Sequence, residues 1–84
     1  MTSLGKIITT IINGEHGWSV ADQFERSFDG EAFEEQNINA LEYIRYCLKY
    51  DIINSGVFND EAMDEIKEYY SKLVEYLEEA KQQS

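Results

Sequence analysis

Apolar residues recur three or four positions apart along most of this chain, and no proline interrupts them. That spacing lines side chains along one stripe of an α-helix, whereas a half-buried strand needs strict alternation, which no segment shows. An all-α fold is the expectation. A chain of 84 residues holds one modest core, so the helices must pack on one another within a single domain spanning 1–84.

Residues 3–13 carry Leu4, Ile7, Ile8, Ile11 and Ile12 on one stripe, with Lys6, Thr9 and Thr10 opposite. The β-branched run favours a strand by propensity, but its period is helical, and the period decides. Thr2 or Ser3 can cap this helix, and Asn13-Gly14 is expected to end it. A second helix, about 19–28, starts at Ser19, sets Val20, Phe24 and Phe28 four apart, and breaks at Asp29-Gly30. Residues 31–36 read as a loop or a short helical turn. The third helix, about 37–54, begins at Asn37 and stops at Ser55-Gly56. Its Leu41, Ile44, Cys47, Leu48 and Ile52 form one apolar face; Tyr43, Tyr46, Tyr50 and Ile53 form another, about 150° away. The fourth, about 60–82, has Asn59 as N-cap, with Phe58 and Met63 placed as a hydrophobic staple. Along it Ile66, Tyr70, Leu73, Leu77 and Ala80 recur as a packing seam, and Glu68 and Lys72 form an i,i+4 pair. The expected architecture is a small four-helix bundle: two short N-terminal helices and two longer C-terminal ones forming an antiparallel hairpin.

Composition narrows the function classes. Seventeen Asp and Glu against seven Lys and Arg give a net charge of −10. Such a surface repels phosphate backbones and anionic lipids, which disfavours direct nucleic-acid and membrane binding. No apolar stretch is long enough to span a bilayer. A hydrophobic fraction of 43% is too high for a disordered acidic tail. The single cysteine, Cys47, cannot close an intramolecular disulfide, which fits a cytoplasmic setting.

Few residues offer catalysis. His16 is the only histidine, so nitrogen and sulfur ligands alone cannot complete a structural zinc site. Cys47 and His16 form a conceivable nucleophilic pair, but Cys47 lies on an apolar helix face, where a thiol is inert packing. An EF-hand register centred on Gly30 puts Gln36 where a bidentate Glu is required, and fails. No cofactor, no metal and no catalytic residue are therefore expected. Glu31-x-x-Glu34 and Glu61-x-x-Asp64 resemble the magnesium-binding carboxylate pairs of all-α nucleoside triphosphate pyrophosphohydrolases. That resemblance implies Mg²⁺-dependent nucleotide hydrolysis. In an antiparallel hairpin, however, an intervening helix of about 27 Å would set the two pairs at opposite ends. Ile12-Asn13-Gly14-Glu15, Ser19, Asp22 and Asn39-Ala40-Leu41 resemble the barstar family of acidic ribonuclease inhibitors. Here Asn39 and Tyr43 stand where that family's inhibitory helix carries acids, and its later strands have no counterpart.

Two surfaces remain. Glu61, Asp64, Glu68, Glu75 and Glu79 fall opposite the seam of the fourth helix, with Tyr69 and Tyr76 along the border. Between Asp60 and Glu79 a carboxylate occurs about every 3.6 Å of rise, close to the ~3.4 Å phosphate spacing of one DNA strand. Such a face can substitute for nucleic acid on a basic protein. In length, acidity and lack of proline the chain resembles the anti-CRISPR and antirestriction proteins by which phages and mobile elements inhibit host nucleases. The leading expectation is thus a non-enzymatic, stoichiometric inhibitor of a basic nucleic-acid-binding protein. The alternative is a self-associating structural or regulatory subunit that forms a homodimer through Tyr43, Tyr46 and Tyr50. A pyrophosphohydrolase-like enzyme stands third.

Overall fold

The computed structural model describes residues 3–83. Four α-helices follow in order: α1 (Ser3–His16), α2 (Trp18–Phe28), α3 (Ile38–Cys47) and α4 (Asp60–Gln83). A short 3₁₀ turn, Phe33–Glu35, leads into α3, and a π-helical segment, Leu48–Ile53, continues it. Among the described residues there is no strand, and no helix is long and apolar enough to cross a membrane. The helices form one small bundle, as their spacing predicts. At 24 residues α4 is about 36 Å long, and it sets the 37 Å long axis of the molecule.

Several boundaries differ from the expected ones. α1 does not stop at Asn13-Gly14 but runs to His16. Glycine inside a helix costs only about 1 kcal/mol, and the real break is Gly17, whose φ of 88° lies in the left-handed region. Gly17 also serves as the N-cap of α2, so Ser19 lies inside that helix. A single residue therefore turns the chain from one helix into the next. α3 is not α-helical to residue 54: from Leu48 to Ile53 the turns widen to the π pattern. The caps at Asn37 and Asn59 are where the sequence puts them. Asn37 Oδ1 accepts from the backbone N–H of Asn39 and Ala40, and Asn59 Oδ1 accepts from that of Ala62 at 2.8 Å. Thr2, a candidate cap for α1, lies outside the described residues.

The core draws on every helix. Ile8 and Ile12 of α1, Phe24 of α2, Leu41 and Ile44 of α3 and Ile66, Leu73 and Leu77 of α4 are all essentially inaccessible. Each such side chain contributes about 1.5–3 kcal/mol relative to exposure. α1 is rotated from its expected orientation: Gly5, Ile8, Thr9 and Ile12 face inward, while Ile7 is exposed. Thr9 can bury because its hydroxyl donates to the Gly5 carbonyl at 2.7 Å. Gln23 of α2 is buried too, and its Oε1 accepts the backbone N–H of Asn37, fastening α2 to the entrance of α3. Glu42 pairs with Lys81 at 3.7 Å and Arg45 with Glu78 at 3.5 Å. Advancing along α3 while retreating along α4, these pairs establish that the two helices run antiparallel.

Candidate functional site

The outer face of α4 carries Glu61, Asp64, Glu68, Glu75 and Glu79, all exposed. They stand opposite the buried Ile66, Tyr69, Leu73 and Leu77. From Glu61 to Glu79 the stripe rises about 27 Å. Glu68 pairs with Lys72 at 3.4 Å, with both side chains well exposed. Among the described residues the other four have no ion-pair partner. Lys81, near the end of the same helix, reaches across to Glu42 of α3.

Tyr69 is not a border residue of this face. It is a core residue, and its hydroxyl shares a hydrogen bond with that of Ser27 at 2.7 Å. Phe24, Phe28 and Phe33 surround its ring at 5.2, 5.5 and 5.8 Å. Burial holds its pKa above the ordinary tyrosine value, an effect the Ser27 hydroxyl partly offsets. Tyr70, expected in the seam, is only half-buried. Tyr76 is half-buried at the edge of the stripe, its ring 5.5 Å from that of Phe33.

The chain between α2 and α3 folds back along α4. Glu31 and Glu34 consequently line a cleft of about 450 Å³ with Glu65, Glu68 and Lys72. The expected separation of the carboxylate pairs to opposite ends is thereby corrected, although the acids they meet on α4 are Glu65 and Glu68, one turn beyond Glu61 and Asp64. Two of the four acids already have internal partners: Arg26 lies 3.5 Å from Glu31, the Gln36 amide donates to Glu31, and Lys72 holds Glu68.

On α3 and its π extension, Tyr43, Tyr46 and Tyr50 are 53%, 65% and 48% exposed. They are the uncovered face of a helix whose other face is core. Tyr46 and Tyr50 lie 4.6 Å apart, and the Lys49 ammonium sits 5.2 Å from the Tyr50 ring centre. The His16 ring is 5.1 Å from that of Tyr43. His16, Asn39, Glu42, Tyr43 and Tyr46 outline a shallow depression here.

Beside this depression the structure brings together His16 and Cys47, which the sequence considered as a pair, and adds Glu15, which it did not. The donor atoms of Glu15, His16 and Cys47 all lie within 4.8 Å of one another. The Cys47 thiol donates to Glu15 Oε2 at 3.2 Å. Burial, and then the Glu15 carboxylate, push that thiol up to about 12, the opposite of what an activated nucleophile requires. The Asp51 carboxyl, one turn further along, faces the same cluster: its hydrogen bond with Glu15 raises it above the usual carboxylate range, and His16 partly offsets this. The extension of α1 past Gly14 brings Glu15 and His16 here, and that extension is what the local stop signal concealed. Comparison with family models, with curated proteins and with solved structures finds no match to this chain.

Proposed function

We propose that this chain is a non-enzymatic binding protein that docks the outer face of α4 on a basic protein surface of the kind that holds nucleic acid. The observation that carries this reading is the stripe of five exposed carboxylates opposite the core, four of them without an ion-pair partner among the described residues. Docking there competes with a single exposed ion pair, Glu68–Lys72, and leaves the packing of the bundle untouched. Complementary charge steers such an encounter and excludes wrong partners. The half-buried Tyr76 supplies apolar contact at the edge, in place of Tyr69. Counted over all the exposed carboxylates from Asp60 to Glu79, one occurs per about 3.6 Å of rise, close to the phosphate spacing, and the mode of action is occlusion: the helix occupies the groove and nucleic acid is excluded. This is how a stoichiometric inhibitor, anti-CRISPR and antirestriction proteins included, would act.

The test is the triple variant Glu68→Lys, Glu75→Lys, Glu79→Lys. Immobilised wild-type chain should retain a basic protein that DNA and high salt both displace. Against that purified partner the triple variant should bind at least about tenfold more weakly while keeping its helical circular-dichroism spectrum. Undiminished affinity would overturn the acidic-face reading.

The 48–65% exposure of Tyr43, Tyr46 and Tyr50 favours a second reading: two copies of the chain pair through this stripe. Tyrosine suits such a contact because its ring buries while its hydroxyl keeps a hydrogen-bond partner.

A further inference from the structure

We propose that Glu15, His16 and Cys47 form a binding site for a zinc-class divalent transition-metal ion. The chain has one histidine and one cysteine, and the fold brings them together with a carboxylate across 31 positions of sequence. Three donor atoms, one each of nitrogen, sulfur and oxygen, lie within 4.8 Å of one another. A tetrahedral zinc ion, with bonds of about 2.0–2.3 Å, sets its ligand atoms roughly 3.3–3.8 Å apart. Closing the cluster onto a metal thus asks for side-chain shifts of about an ångström, and Glu15, exposed at the end of α1, has that freedom. A water molecule would take the fourth position of the tetrahedron.

The donor set selects the ion. Thiolate and imidazole favour zinc and its neighbours, whereas magnesium and calcium require shells of oxygen. With three protein donors drawn from two helices, the ion would pin the end of α1 to the end of α3. It would also fix the imidazole that lies against Tyr43. The site is separate from the acidic face of α4 and does not depend on that face's function.

Cobalt(II) is the probe, titrated into the full reduced chain. The expected result is one equivalent bound, with a thiolate-to-cobalt charge-transfer band and the strong visible bands of four-coordinate cobalt, both removed by one equivalent of zinc. Cys47→Ser should abolish the charge-transfer band. Because Cys47 is buried and that variant can misfold, His16→Gln serves as the second variant. Loss of even an outer-sphere partner costs about 10–100-fold in metal affinity, so removing this direct donor should weaken cobalt binding at least tenfold with the thiolate band retained at saturation. A pale six-coordinate spectrum without a thiolate band would overturn the proposal. Affinity unchanged in His16→Gln would do the same.

Discussion

Tyr69 and Tyr70 are neighbours of identical chemistry, yet one is core and the other half-buried. On the helical wheel both lie within reach of the seam, because spacings of 3-4-4 and 4-3-4 are each allowed. The choice is made on another helix. Ser27, 42 positions away, offers Tyr69 a hydroxyl, and three phenylalanines offer it ring edges and faces. The sequence therefore shows that a tyrosine closes this layer of the core but not which one. The burial has a pH consequence. Tyr69 is held above its unfolded value of about 10, so the folded chain keeps this proton after the unfolded chain has lost it. Its contribution to stability is intact below pH 10 and declines as pH rises from there toward the folded value. Urea midpoints at pH 8 and pH 10.5 should fall in the wild type. In Tyr69→Phe the fall should be smaller, with the lost hydrogen bond costing about 0.5–1.5 kcal/mol at pH 8.

At the scale of elements, whatever is decided locally is legible. Asn37 and Asn59 cap the helices they precede because a cap needs only its own side chain and the next turn. Asn59→Ala should cost about 1 kcal/mol by denaturant unfolding, and Asn59→Asp should recover most of it. The misread boundaries have a common cause. Asn13-Gly14 is a sound stop signal, but packing of α1 against its neighbours outweighs the small penalty of a helical glycine, and Gly17 supplies the backbone angle for the break. The π segment after Cys47 cannot be seen in a hydrophobic period, since Leu48 and Ile52 are buried whether the turn is α or π. The acidic stripe of α4 is visible from its sequence because it belongs to one helix. The Glu15, His16 and Cys47 cluster is not, because its members come from two helices whose mutual placement only the fold provides.

For the molecule as a whole, two exposed surfaces of opposite character compete for the functional role, and ionic strength separates them. A net charge of −10 opposes pairing of two copies, and salt screens that repulsion. Self-association through Tyr43, Tyr46 and Tyr50 should therefore strengthen as salt rises, whereas docking of α4 on a basic partner should weaken. Sedimentation equilibrium at low and high salt should show a dimer growing with salt, and Tyr46→Glu should restore the monomer. A monomer under all conditions would remove the tyrosine reading and leave the acidic one standing. The corner at Gly17 adds a temporal consequence. With one residue between α1 and α2, bringing them together closes almost no loop, whereas Tyr69 must return to Ser27 across 42 positions. Closure cost rises with the length enclosed, and a chain leaves the ribosome at about 5–20 residues per second. For seconds during synthesis, then, the N-terminal corner can assemble while the helix that seals its apolar side has yet to be made, and the nascent chain meets the cell as a half-built core.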